Sequence, residues 1–364
     1  MIKEIQIENF KSIQSLNLEL GRLNVFIGAN GSGKSNILEA IAFGSAAAED
    51  KLDNEFFENR GIRASDSRVF HSGFKEFNGN NDIIKLSFKK NNENPINFQV
   101  RSINSTSQKW VYQINFEDST LVKVGHELWN IKNDKLVKKY PIEELFGSLL
   151  NFLIYAPENT CLRDFKDKGA IEPLDVKGKG LFNHISDVFK ERPELFQKIN
   201  ENLRLLDWFD GFEIPNDLMF TERRIKIKDQ YLEDGLKYFD QRSANEGFLY
   251  LLFYLTLFIS DETPKFFAID NIDNAMNPKM GSELIKVLAR LSKKEAHDKQ
   301  VILTTHNPSV LDGLDLSDDD QRLFVVSRNK SGHTKVLRVP YRESEERLSY
   351  SFIRGSIGGL PKNF

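Results

Sequence analysis

Cysteine is almost missing from this 364-residue chain, where Cys161 stands alone. A single thiol excludes an intrachain disulfide and any cysteine-held metal cluster, and it suits a reducing compartment such as the cytoplasm. Long apolar runs are missing too. The longest, Gly247 to Ser260, has 14 residues, about 4–6 short of a bilayer span. It reads as a buried helix, and no membrane is expected as a partner. The opening Met1-Ile2-Lys3-Glu4-Ile5 alternates charge with apolar side chains and lacks the unbroken apolar core of a secretion signal. Positive charge is not in excess, since 50 Lys and Arg face 53 Asp and Glu for a net charge of -3. Any contact with nucleic acid must then come from a local patch. Repeats, heptads and low-complexity linkers are also absent. What remains is a globular balance, 40% hydrophobic and 28% charged, long enough for two or three compact units or one large unit with an insertion.

Ile5 to Phe10 and Ser15 to Leu20 alternate apolar and polar residues as half-buried strands do, and Leu23 to Ile27 is a more apolar strand. A glycine-rich turn at 28–33 leads into a helix expected near Lys34, with Ile37, Leu38, Ile41 and Ala42 at helical spacing. From Asp82 to about Lys138 the period is mostly two, broken by Asn, Gly, Ser and Lys-rich turns, which predicts an antiparallel meander. Helical spacing takes over from Leu181 to about Leu206, followed by a short strand at Arg224 to Lys228 and the apolar helix beginning near Gly247. The last third alternates strand and helix: Phe266 to Asp270, Gly281 to Ser292, Val301 to Thr305, then a hairpin from Leu323 to Val326 and Lys335 to Val339. Buried strands joined by helices predict a mainly parallel sheet. The expected class is α/β, with a mainly parallel central sheet, an antiparallel β lobe and a helical insertion, divided near residues 1–60, 61–240 and 241–364.

Gly28-Ala29-Asn30-Gly31-Ser32-Gly33-Lys34-Ser35 fits the phosphate-loop pattern G-x-x-x-x-G-K-[ST] completely, and it lies between an apolar strand and a helix that opens with Asn36. Glycines let backbone N–H groups turn inward around a β-phosphate, and the helix N-terminus adds partial positive charge. Lys34 is expected to bridge the β- and γ-phosphates and the Ser35 hydroxyl to ligate Mg²⁺, which makes ATP and Mg²⁺ the expected cofactors. Such a loop needs a carboxylate from a neighbouring strand to hold the metal. Asp270, ending the apolar run Phe266 to Ile269, fits that need, although an Asp at a strand end also serves as a cap for the next helix. The next position is where a water-polarising glutamate belongs, and it holds Asn271. An amide can orient a water but cannot accept its proton, so slow hydrolysis is expected. Asp273 is close in sequence, and spacing alone does not say which way it faces. His306 ends the run Val301 to Thr305, where a neighbouring strand would reach a γ-phosphate; a lone histidine after a strand is otherwise usually structural.

Taken together, these segments resemble the ABC-type ATPase heads of the SMC, RecF and overcoming-lysogenization-defect families. Ile7-Glu8-Asn9-Phe10-Lys11-Ser12-Ile13 looks like their opening strand, Asp270-Asn271-Ile272-Asp273-Asn274-Ala275-Met276-Asn277-Pro278 like their Walker B and D-loop, and Thr305-His306-Asn307-Pro308 like their switch histidine. Tyr155-Ala156-Pro157-Glu158-Asn159 resembles a RecF-type segment near the Q-loop, and Asn245-Glu246-Gly247 stands where a Ser-x-Gly signature precedes an apolar helix. Asn at 245 is also a plain helix start.

The resemblance implies a P-loop NTPase of the ABC-ATPase type, with Lys11 and Asn36 beside the nucleotide and Glu158 beside the metal. It also implies a head-to-tail homodimer, in which Asn245 and Gly247 close over the ATP of the opposite subunit. Two departures narrow it. There are no coiled-coil arms, and residues 307–364 leave no room for a fused Toprim nuclease; Asp318-Asp319-Asp320 reads as a solvated loop. A stand-alone head of this kind implies a sensor or scaffold for a separate nuclease or toxin effector in bacterial antiphage defence. The alternative is a RecF-like clamp that binds DNA, with Lys89-Lys90 or Arg223-Arg224, Lys226 and Lys228 as candidate patches. A transporter ATPase fits less well.

Overall fold

The alternating segments at the start of the chain pair with each other and with the meander, away from the strand that carries the phosphate loop. The computed structural model describes the chain except residues 64–65, 75–81, 92, 103–108, 118, 125–126, 133–134, 167–168, 216–222, 234–235, 237, 344–345 and 359–364. The first half holds β1 (Ile2–Phe10), β2 (Ile13–Glu19), β3 (Leu23–Ile27), α1 (Lys34–Glu49), α2 (Asn54–Asn59), β4 (Ile84–Lys90), β5 (Ile96–Ser102), β6 (Trp110–Phe116), β7 (Ser119–Val124), β8 (Glu127–Lys132), β9 (Lys135–Pro141), α3 (Ile142–Phe146), β10 (Ile154–Tyr155) and α4 (Asn159–Arg163). The second holds α5 (Leu181–Glu191), α6 (Pro193–Leu203), β11 (Phe209–Glu213), β12 (Lys226–Asp229), α7 (Glu246–Ile259), β13 (Phe266–Ile269), α8 (Pro278–Ser292), β14 (Gln300–Thr305), β15 (Gln321–Arg328), β16 (Thr334–Val339) and α9 (Leu348–Ile353).

Two large sheets result. One is antiparallel with strand order β2-β1-β4-β5-β6-β7-β8-β9, and the other runs β10-β13-β14-β3-β15-β16. In the second, every pairing is parallel except β15 with β16. The sheets cross the sequence divisions near 60 and 240, because β1 pairs with β4 and β10 with β13.

α1 lies between the sheets, which explains why its side chains from Ile37 to Ala48 are all buried. Ile37, Leu38 and Ile41 share a core with Ile5 and Leu86 of the antiparallel sheet and with Phe26 and Ile302 of the parallel one. A Cβ on Gly44 would sit 2.5 Å from the Phe88 ring, so glycine lets helix and sheet close up. The other face of the parallel sheet, Val25, Ile27, Ile269 and Leu303, packs on α5 to α8. α7 is buried on all sides from Gly247 to Ile259, as its uniformly apolar sequence requires. Its C-terminus is held by buried Lys299, whose Nζ donates to the carbonyls of Ser260 (2.8 Å) and Thr263 (2.9 Å). Burial lowers the pKa of that ammonium to about 8. Among the described residues no helix is long and apolar enough to cross a membrane.

Candidate nucleotide site

β3 delivers the chain to the glycine-rich loop, and the neighbouring strands leave room only for glycine at two points. A Cβ at Gly28 would lie 2.1 Å from the Val326 carbonyl oxygen. One at Gly33, where φ is 109°, would lie 2.0 Å from Thr334 Oγ1. Gly31 has φ of 73° and open space where a side chain would be. Beyond the loop, α1 begins without a side-chain cap, so its first N–H groups have no intrahelical partner. α7 and α8, by contrast, are capped by Asn245 and Asn277. Ser32 Oγ is buried without a hydrogen-bond partner among the described residues. An uncapped helix start, an open cradle and an orphaned buried hydroxyl form a receptor for phosphate oxygens.

Lys34 sits inside this cradle. Its Nζ donates to the carbonyls of Gly28 (2.8 Å) and Ala29 (3.2 Å) and lies 3.2 Å from His306 Nδ1. Burial lowers its pKa to about 8, against the raising pull of Asp270 and Asp273. Burial and the Lys34 charge both push His306 down, so the imidazole beside the cradle is neutral at pH 7.

The Ser35 hydroxyl donates to Asp270 Oδ2 at 2.9 Å, and the Thr304 hydroxyl donates to Oδ1 of the same carboxylate. Hydroxyl and carboxylate oxygens are the hard donors that Mg²⁺ selects. Among the described residues no three His, Cys, Asp or Glu side chains gather around one point. Ser35 and Asp270 would hold Mg²⁺, whose charge would neutralise β/γ-phosphate oxygens. Asn271 has a left-handed backbone (φ 58°) and gives its N–H to Thr304 Oγ1 at 2.9 Å. Left-handed backbone favours asparagine over glutamate, which is a local reason for the residue found here. Asp273, whose direction the sequence leaves open, accepts a hydrogen bond from Thr305 Oγ1 at 2.7 Å, next to His306.

The remaining expected site residues divide. Lys11 is paired with Glu39, a carboxylate buried within α1 that also accepts from Arg63 Nε at 2.6 Å. Lys11, Ser12, Asn36, Arg63, Phe74 and Arg328 line a cavity of about 580 Å³ beside the loop, and Arg328 Nε donates to the Gly31 carbonyl at 2.8 Å. Glu158 is turned to Lys177 at 3.1 Å, so to serve as a metal ligand it would have to leave that partner. Asn245 accepts from the Phe248 N–H at 2.8 Å, the capping geometry, which leaves its amide NH₂ to donate elsewhere. A Cβ on Gly247 would stand 3.3 Å from the Ala275 carbonyl. Residues 245–247 thus share a separate cavity of about 510 Å³ with Ala275, Asn277 and Trp208, and none of its lining comes from residues 28–36.

Sequence reading misses Thr304, Glu39, Arg63 and Arg328. A threonine pair ending a buried strand and a lone acid in an apolar helix were the available signals for the first two; Arg63 and Arg328 carry none.

The Lys34 pKa gives a direct prediction. Bound phosphates keep the ammonium charged, so binding above about pH 8 must take up a proton. ATP affinity should be flat below that pH and fall about tenfold per unit above it. Titration calorimetry at pH 9, in two buffers of different ionisation heat, should report uptake approaching one proton per nucleotide. A binding heat independent of buffer would refute this.

Comparisons with known proteins agree with the geometry. Residues 23–312 match the family described as "AAA domain, putative AbiEii toxin, Type IV TA system". The chain is 21% identical to the DNA replication and repair protein RecF of Thermoanaerobacter sp. (strain X514), covering 98% of this chain and 99% of that protein. It is 22% identical to an ATP/GTP phosphatase of Helicobacter pylori, covering 96% of this chain and all of that protein. The Smc head domain from Pyrococcus furiosus, solved with an extended coiled coil and the C-terminal domain of ScpA, superposes with a TM-score of 0.56 at 14% identity, over 98% of this chain and 99% of that one. The chain belongs to this AAA-domain family, and its fold is that of the Smc head domains.

Proposed function

We propose that this chain works as an ATP-operated switch: two copies close head to tail on two ATP molecules, and the closed dimer holds or activates a separate effector, a nuclease or toxin, in cytoplasmic antiphage defence. The observation that carries the dimer is the separation of Asn245, Gly247 and Ala275 from the phosphate loop of the same chain, in a cavity of their own. The family description, "putative AbiEii toxin, Type IV TA system", supports a toxin context without naming a separate effector. Lys34, Ser35, Asp270 and His306 serve the phosphates and the metal, and Asn271 keeps turnover slow.

Light scattering tests the dimer. Wild type should double its mass with Mg·ATP, whereas Gly247→Leu, whose side chain would crowd the Ala275 carbonyl, should stay monomeric. Equal masses with and without ATP would end the head-to-tail reading.

A second reading, an ATP-closed clamp on duplex DNA, draws support from the RecF relative that spans nearly the whole chain. Its candidate cations are partly neutralised, since Lys90 pairs with Glu93 at 3.0 Å and Lys228 with Glu213 at 2.6 Å. ATP-dependent duplex binding that weakens steeply with salt would favour the clamp over the effector switch.

A further inference from the structure

With an amide at position 271, the water that attacks the γ-phosphate has no proton acceptor in the usual place. Around the cradle, two described carboxylates are close enough for their charge to raise the Lys34 pKa, those of Asp270 and Asp273. Both oxygens of Asp270 already accept hydroxyl hydrogen bonds, from Ser35 and Thr304. Asp273 differs. One of its oxygens accepts from Thr305 Oγ1 at 2.7 Å, and the other has no hydrogen bond among the described residues. Thr305 is the last residue of β14 and pairs with Ile27, the residue before Gly28. The residue after it, His306, touches the Gly28 carbonyl at 3.1 Å. The Thr305 bond therefore fixes the carboxylate at the end of the strand that borders the cradle.

The geometry points to Asp273 as the proton acceptor for ATP hydrolysis in this chain, with Thr305 as its positioning residue. In that step the water oxygen bonds to the γ-phosphorus while its proton passes to Asp273. The bond from phosphorus to the β,γ-bridging oxygen breaks, its electron pair leaves with ADP, and inorganic phosphate is released. The charged and titratable groups facing Asp273 come from three elements: Lys34 of α1, His306 after β14, and Tyr254 of α7, whose buried hydroxyl has no hydrogen-bond partner among the described residues. Tyr254 brings α7 within electrostatic reach of the same group, so an acceptor at 273 sits between the phosphate loop and α7. This inference rests on the chain being an ATPase and does not require the effector role.

Single-turnover hydrolysis of Mg·ATP by the full chain tests it. Asp273→Asn keeps an oxygen for Thr305 to donate to and removes the proton acceptor. It should slow hydrolysis by about 10²-fold or more while leaving ATP affinity within about threefold. Thr305→Val should give an intermediate rate, and adding Asn271→Glu to Asp273→Asn should restore at least tenfold. An unchanged rate in Asp273→Asn, or loss of ATP binding together with the rate, would overturn the assignment and leave the proposed switch standing. Wild type that binds ATP yet forms no ADP would overturn the assignment and the ATPase reading together. ATP hydrolysis that obeys these expectations without any mass doubling would retain Asp273 and remove the dimer.

Discussion

Lys34→Ala should weaken Mg·ATP binding by about 10²–10³-fold and remove measurable turnover. The ammonium is the cation fixed inside the loop, held over the Gly28 and Ala29 carbonyls and beside His306. On binding it exchanges those carbonyls for β- and γ-phosphate oxygens. Charge-assisted hydrogen bonds contribute roughly 1.5–3 kcal/mol each, so losing two near the lower end, about 3–4 kcal/mol, accounts for that range. Backbone N–H groups of the loop and the α1 N-terminus would still hold some nucleotide, which is why binding falls without vanishing. Titration with a fluorescent ATP analogue measures the loss, and the nucleotide-free melting temperature shows that the fold survives. Affinity within about threefold of wild type would remove the loop as the nucleotide site.

The opposite effect is expected at position 271. Asn271→Glu should raise the hydrolysis rate by about tenfold, less than the roughly 10²-fold or more that a first general base supplies, because Asp273 already accepts the proton. It carries a cost that spacing alone does not reveal, because φ at this residue is 58°. A glutamate in that conformation loses roughly 1–2 kcal/mol that asparagine largely avoids. The variant should therefore melt earlier while turning over faster, and its ATP-closed state should be shorter-lived. Asn271→Gly separates the two effects, since it relieves the backbone and supplies no base. It should melt no earlier than wild type and hydrolyse no faster. Phosphate release and a thermal melt on both variants decide the matter, and a glutamate variant no faster than the glycine one would show that side chain 271 does not face the water.

What could be read from the sequence is what lies close together in it. The loop at 28–35, Asp270 and His306 each come directly after an apolar run that announces a buried strand, and the parallel pairing of β14 with β3 does bring the histidine to the loop. The expected meander is there as well, although its union with β1 and β2 into one eight-stranded sheet depends on long-range pairing that periodicity does not encode. Residues that act through distant partners were hidden. Glu39 matters because Lys11 and Arg63 converge on it from separate loops. Arg328 reaches the Gly31 carbonyl across nearly 300 positions. Asp273 needed the Thr305 hydroxyl before its direction could be known. Lys11 and Glu158 show the reverse, since each motif match sits against an intramolecular counterion.

The position of β3 between β14 and β15 also matters for the ribosome. Leu23 to Ile27 pairs with Val301 to Thr305 on one side and with Gln321 to Val325 on the other. A growing chain therefore carries its nucleotide motif from the outset but has no walls for it until almost everything else has been translated. Throughout that interval Leu23-Asn24-Val25-Phe26-Ile27 is a sticky apolar segment without neighbours, the kind of stretch that chaperones shield during synthesis. A chain released early would keep the motif and lack the pocket, because Val326 and Thr334 frame Gly28 and Gly33. On this topology ATP binding is expected only of chains made through β16, which supplies Thr334.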